Sequence, residues 1–178
     1  MHKIFFTLFM ASYAISSLVQ APPSPAAVQA FEPLIEGAWE VDTTFANGTR
    51  FHQQKVFDWG LEGHVVHTQT KGTVDPETEA FGLRNQGVIA YRAADSTLLS
   101  IEVDVFGGVT QSVVTAEGRN LYFDYDYMGG KFRDAWIYVS DQEYRYEIRA
   151  WADGGYHTLY LQAPMIRRDA AIFESTYR

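Results

Sequence analysis

Between residues 37 and 163 the chain is a succession of about ten short segments in which apolar and polar residues alternate. Such alternation indicates β-strands with one buried face, because successive side chains of a strand point to opposite sides. Turn signals recur between the segments at the spacing of a meander, and Asn47-Gly48 is the strongest hairpin signal among them. The predicted strands span residues 37–45, 49–57, 64–73, 83–92, 97–105, 109–116, 121–127, 132–139, 143–151 and 156–163.

This order of elements predicts an all-β fold, a single antiparallel up-and-down β-barrel of about 8–10 strands. A long meander removes its exposed edges by closing on itself. A barrel of that size holds either a small ligand or a packed core. A sandwich of two sheets is the alternative architecture. Pro164 is predicted to end the last strand, and the tail that follows could form a short helix or be disordered.

The N-terminus is typical of a secretory signal. A basic start, Met1-His2-Lys3, precedes an apolar run that ends at the small-x-small site Val19-Gln20-Ala21. A membrane anchor is the alternative, but the run is short for a bilayer span. We therefore predict a signal peptide over residues 1–21, a Pro/Ala-rich linker over 22–30, the barrel over 31–168 and a C-terminal tail over 169–178. The protein would be exported, to a bacterial periplasm or outside the cell.

Charge and cysteine content restrict the partners. Fourteen Lys and Arg residues against 22 Asp and Glu give a net charge of −8, which disfavours nucleic acid and anionic membrane surfaces. We predict no nucleic-acid partner and no membrane span after signal cleavage, and leave the oligomeric state open. The chain has no cysteine, which excludes thiol chemistry and suits a bacterial envelope protein.

The alternation also sorts side chains by face. On the ninth strand, Tyr144, Tyr146 and Ile148 share the apolar face, and the opposite, charged face that includes Glu147 is expected to be solvated. The seventh strand has a clear apolar face, formed by Leu121, Phe123, Tyr125 and Tyr127. The eighth strand is ambiguous: one face carries Phe132, Asp134, Trp136 and Tyr138, and the other is not clearly polar.

Several short motifs together resemble one family of barrels. Gly37-Ala38-Trp39, at the start of the first strand, resembles the Gly-x-Trp signature of lipocalins and other calycins. The turn at 58–64, the segment at 141–147 and the pair Arg167-Arg168 are similar to features of a bacterial lipocalin-like family of unknown function. The resemblance covers residues 31–168.

In lipocalins the signature tryptophan closes one end of the barrel against an arginine of the last strand. The resemblance implies that role for Trp39, with either Arg167 or Arg168 as its partner. Any ligand is then expected at the opposite end. Haem-binding nitrobindin-like barrels open with Gly-x-Trp-x-Gly-x-Gly, whereas this chain continues with Glu40-Val41-Asp42, so we predict no haem and no other cofactor.

Aromatic residues are concentrated in the last four strands. Small-molecule pockets are mostly apolar with a few polar anchors, and tyrosine supplies both. The alternative is that these rings only fill the barrel. We predict a small apolar or amphipathic ligand, bound by Phe123, Tyr125, Tyr127, Trp136, Tyr138, Tyr144, Tyr146 and Tyr160.

Residues for catalysis or metal binding are less evident. His64 and His67 lie three apart in a predicted strand and point to opposite faces, so they cannot chelate one ion, and we predict no metal site. Asp134 is a candidate acid or base if its aromatic face points inward, because burial would raise its pKa. The chain has no Gly-x-Ser-x-Gly, phosphate loop or His-Glu-x-x-His motif.

Three functions remain open at this stage. The first is a binding protein for a small molecule. The second is an enzyme of the isomerase or cyclase kind that uses Asp134 or a histidine, although the sequence favours a non-enzyme and catalytic residues stay unassigned. The third is a structural module of the envelope, with an exposed aromatic patch and oligomers in solution.

Overall fold

Ten antiparallel strands close into one barrel in the computed structural model, which describes residues 26–174. Each strand pairs with its neighbours in the chain, and the first strand pairs with the last. This confirms the predicted all-β barrel and excludes the sandwich. The strands are β1 Ala38–Thr44, β2 Arg50–Gly60, β3 Val65–Asp75, β4 Ala80–Arg92, β5 Thr97–Asp104, β6 Val109–Glu117, β7 Asn120–Tyr127, β8 Gly130–Ser140, β9 Glu143–Ala152 and β10 Gly155–Arg168.

Several strands run further than the sequence predicts, and β2 and β10 differ most in where they end. β2 continues through the predicted turn to Gly60, and a short 3-10 turn at Leu61–Gly63 follows. Pro164 does not end β10, where it lies opposite Arg145 of β9. The ladder between β10 and β1 covers only the pairs from Ala38–Arg168 to Glu40–Ile166. Pro164 therefore lies beyond the paired stretch of that edge, where a missing N–H costs no ladder hydrogen bond.

The register decides which faces point inward. On β8, Trp136 lies opposite Leu121 and Tyr146 in the core, so the aromatic face with Asp134 points into the barrel. The expectation of a solvated outer face on β9 is wrong for Glu147, whose side chain is only 6% exposed. The flanking Arg145 and Arg149 cover it and donate to its two oxygens at 2.9 and 2.7 Å.

One end of the barrel is closed by the chain that precedes β1. A helical turn, α1 (Ala26–Gln29), and a 3-10 turn at Glu32–Leu34 bury Val28, Phe31 and Leu34 completely. Part of the predicted linker is thus packed into the core. The predicted signal peptide lies outside the described residues. Among residues 26–174 no helix is long and apolar enough to cross a membrane.

Trp39 is at the centre of this closed end and is fully buried. Its Nε1 donates to the Leu34 carbonyl at 3.0 Å, and the Arg167 guanidinium lies 5.8 Å from its ring centroid. Of the two arginines that the resemblance implies, Arg167 is therefore the one over the ring. Gly37 is needed beside it, because a Cβ at this position would lie 2.9 Å from Arg167 Nε.

The C-terminal residues pack on the outside of the barrel. A second helical turn, α2 (Ala171–Glu174), buries Phe173 against Ala38 and Val56. Lys71 on β3 donates a hydrogen bond to the Phe173 carbonyl, and its Nζ lies 4.4 Å from the Phe173 ring centroid. Burial lowers the pKa of Lys71. The helical alternative for the tail is thus confirmed over these four residues.

Candidate functional site

The half of the barrel opposite Trp39 encloses a cavity of about 230 Å³. It lies between the aromatic core of the closed end and the open mouth, which the β1–β2, β3–β4 and β5–β6 hairpins surround. Aromatic rings form one side, and hydroxyl, amide and charged groups form the other. A cavity with this mixture can hold an amphipathic molecule more readily than a purely apolar one.

The eight aromatic residues predicted to bind a ligand fall into three groups. Five of them line the cavity: Phe123, Tyr125, Tyr127, Trp136 and Tyr146. Tyr138 and Tyr144 lie at the closed end, where Tyr144 packs edge-on against Trp39 at a centroid distance of 5.2 Å. Tyr160 lies on β10, is half-exposed and contacts Phe132.

Asp134 is a polar group of the cavity that two tyrosines hold in place. The hydroxyl of Tyr125 donates to its Oδ1 at 2.9 Å, and that of Tyr146 donates to its Oδ2 at 2.6 Å. Burial raises the pKa of Asp134, and the two tyrosine hydrogen bonds oppose this only in part. Burial and the adjacent carboxyl also raise the pKa of both tyrosines. These hydroxyls therefore remain protonated, and the carboxyl can exchange a proton within the cavity.

A buried ion pair faces Asp134 across the interior. Lys55 Nζ lies 2.5 Å from Glu102 Oε1, which also accepts a hydrogen bond from Thr68, while Asn85 donates to Oε2. Burial alone would raise the pKa of Glu102, but Lys55 and the two neutral donors outweigh it and hold the pKa below its usual value. The Glu102 carboxylate therefore stays ionised at neutral pH.

Asp134→Asn should change how stability depends on pH. The raised pKa means that folding favours the protonated carboxyl, so this stabilisation is present at low pH and is lost as pH rises through the folded-state pKa. We expect the free energy of unfolding of the variant, relative to the wild type, to increase from about pH 4 upward. Urea unfolding of both proteins across the pH range measures it. A constant difference would contradict the burial of an ionisable carboxyl here.

The mouth of the barrel is a second, wider space of about 550 Å³. Four phenylalanines from three hairpins line it: Phe45, Phe51, Phe81 and Phe106. Arg84 of β4 lines both this mouth and the inner cavity. A molecule that enters the barrel from solvent on this side therefore passes aromatic rings and the guanidinium groups of Arg50 and Arg84.

Sequence reasoning missed most of the polar side of the cavity. No pattern in the sequence points to Asn85 or Glu102. A signal is present for Lys55, because it lies two residues before Phe57 and so shares its inward face. Glu102 lies on β5, and two strands separate it from Lys55 on β2. Only the register of the closed sheet shows that these two side chains are in contact.

The histidines are spread over the barrel. His52 lies within 3.1 Å of Glu40 and stacks on Phe81, and His157 lies beside Gly155 at the start of β10. His67 packs beside Gly60 on the outer surface. In the described part of the chain, no three His, Asp or Glu side chains form a group that could hold a metal ion.

Comparison with known proteins does not assign this chain to a family. No protein-family model matches this sequence, and no curated protein matches it. The barrel is compatible with a lipocalin-like fold, and its own geometry therefore supplies every argument about function.

Proposed function

We propose that this barrel binds a small amphipathic molecule in its interior. The observation that carries the proposal is the cavity of about 230 Å³, with aromatic rings and Asp134 on one side and the Lys55–Glu102 ion pair on the other. Known ligand pockets begin at about 300 Å³. The ligand should therefore be compact, such as one substituted ring system, rather than a long acyl chain. The predicted secretory signal would place this binding outside the cytoplasm.

The polar groups give the site its selectivity. Lys55, Glu102 and Asp134 are already hydrogen-bonded inside the protein, so this part of the site is organised before a ligand enters. A preorganised site loses little conformational entropy on binding. A ligand without polar atoms would leave these groups facing an apolar surface, at a cost in free energy. The site therefore favours a molecule with a polar end over a hydrocarbon.

Filling the cavity should abolish binding. Ser112 of β6 is buried and lines the cavity, and Ser112→Phe would place a ring inside it. We expect the dissociation constant for the neutral fluorescent amphipath N-phenylnaphthylamine to rise by about tenfold or more, since each tenfold corresponds to about 1.4 kcal/mol. A fluorescence titration of the purified protein measures it, and native mass spectrometry shows whether a small molecule co-purifies.

The matched control is Gln111→Phe, the neighbouring residue on β6, which points outward and is exposed. This variant gains the same ring without filling the cavity, and its affinity should equal that of the wild type. Equal affinity in both variants, or no binding by the wild type, would refute interior binding.

A second candidate function is acid–base catalysis of the isomerase kind, and Asp134 with its two tyrosines is the observation that favours it. The Asp134 carboxylate would take the α proton of a ketone and return it at the γ carbon, while a tyrosine hydroxyl donates a hydrogen bond to the enolate oxygen. The test is conversion of β,γ-unsaturated ketones to their conjugated isomers, followed by absorbance. Asp134→Asn should slow it by about 100-fold or more. Equal rates in the variant would remove this candidate.

A further inference from the structure

We propose that Arg84 recognises an anionic group on the ligand, which makes a small aromatic or alicyclic acid, such as a carboxylate, the class of molecule that the barrel binds. The inference rests on the proposed interior binding and adds the charge of the ligand to it. Three features of Arg84 support the inference. It lies at an irregularity of the sheet, it has no ion-pair partner among residues 26–174, and aromatic side chains lie near it.

An irregularity in the sheet directs Arg84 toward the cavity. Thr70 and Lys71 are consecutive on β3, yet they pair with Asn85 and Leu83 of β4, so Arg84 is an extra residue between them. Such a bulge changes the direction of a side chain, and bulges are frequent beside functional sites. Asn85 contributes to the buried cluster and Leu83 packs on the outside, while Arg84 lines both the cavity and the mouth.

The facing strand makes room for this side chain. Gly72 of β3 lies next to Arg84, and a Cβ at that position would be 3.2 Å from Arg84 Cδ. The absence of a side chain at Gly72 therefore allows the aliphatic part of Arg84 to pass close to β3. The guanidinium lies 5.6 Å from the centroid of the Phe106 ring at the mouth.

Arg84 has no carboxylate partner within residues 26–174, whereas Arg50, Arg92 and Arg133 each pair with an aspartate. Three carboxyl groups line the same cavity, and each is engaged elsewhere. Asp134 accepts hydrogen bonds from Tyr125 and Tyr146. Asp104 accepts from the backbone N–H groups of Phe106 and Gly108, each at 2.8 Å. Glu102 is bound by Lys55. The guanidinium therefore keeps its donors for a ligand.

The surroundings indicate the rest of the molecule. An arginine fork binds a carboxylate through two parallel hydrogen bonds. The phenylalanines of the mouth can cover a ring attached to that carboxylate, and the inner cavity offers hydroxyl groups to its far end. A compact ring with one acidic group would match the arginine, the phenylalanines and the hydroxyl groups. A protonated amine would instead be repelled by the Arg84 guanidinium.

The test compares two ligands that differ in charge and hardly in shape, naphthoate and naphthamide, by calorimetric titration of the full protein. We expect the wild type to bind naphthoate at least about tenfold more tightly than naphthamide, as a hydrogen bond between charged groups allows. Arg84→Met should remove this preference, so that naphthoate binds about as weakly as naphthamide. Arg84→Lys keeps the charge and should keep part of the preference.

Arg92→Met is the matched control. It removes the same charge from the other end of β4, where Arg92 pairs with Asp95 at 2.5 Å, and should retain the full preference. Thermal melting of each variant shows that it is folded before it is titrated. Equal binding of both compounds by the wild type, or a preference that survives Arg84→Met, would overturn the role of Arg84 but not interior binding. If neither compound binds and N-phenylnaphthylamine does not bind either, the proposed function itself fails.

Discussion

Trp39→Ala should lower the free energy of unfolding by about 3–5 kcal/mol, the range measured for removal of a large buried aromatic side chain. Trp39 is fully buried, and the edge of its ring packs against Trp136 and Tyr144 with centroid distances of 6.2 and 5.2 Å. The substitution also leaves the Leu34 carbonyl without its donor. Urea unfolding followed by circular dichroism measures the loss.

Two comparisons show whether the effect belongs to the closed end. Trp151→Ala removes an indole that is 48% exposed on β9 and should change stability by less than about 1 kcal/mol. Because the cavity lies beyond the core rings, Trp39→Ala in the folded protein should alter the relative affinities for naphthoate and naphthamide little. A loss no larger than that of Trp151→Ala would contradict the role of Trp39 as the centre of this end.

Glu102→Gln should destabilise the protein by about 3–5 kcal/mol at neutral pH, because it leaves the Lys55 ammonium buried without a counter-charge. Both side chains of the pair are at least four-fifths buried. The double variant Lys55→Met, Glu102→Leu should recover most of that loss, since well-packed apolar residues replace a buried pair at little cost. Chemical unfolding of the two variants and the wild type measures both effects.

The pH dependence supplies an independent check on the same pair. The folded-state pKa of Glu102 is lowered, so its stabilisation is present above the unfolded value and is lost as pH falls through the folded one. The difference in stability between wild type and Glu102→Gln should thus shrink below about pH 4. A difference that is small at neutral pH, or one that grows in acid, would contradict a buried, ionised pair.

The predictions assign different roles to the two ends of the barrel. Substitutions around Trp39 should act on stability, whereas substitutions at Ser112 and Arg84 should act on binding. Glu102 and Lys55 lie between these regions and contribute to both, because they hold the interior polar network together and line the cavity.

Much of the fold follows from local sequence. Alternation and turn residues predict each strand, since a half-buried strand needs period two and tight hairpins need residues that tolerate positive φ. Asn47-Gly48 lies at the β1–β2 turn with Gly48 at φ 88°, as predicted. Five of the eight predicted ligand-binding aromatics also line the cavity, because the alternation of β7 and β9 identifies an apolar face directly.

Other features depend on which strands face one another, and no local pattern encodes that. The inward direction of Asp134, the pairing of Lys55 with Glu102 and the burial of Glu147 between Arg145 and Arg149 all follow from register and closure. The sequence by itself determined the all-β class, the strand positions and the signature tryptophan, because these rest on periodicity and turn chemistry. Only the tertiary structure decided the polar site and the bulge at Arg84, because a closed sheet brings together residues that are far apart in the chain.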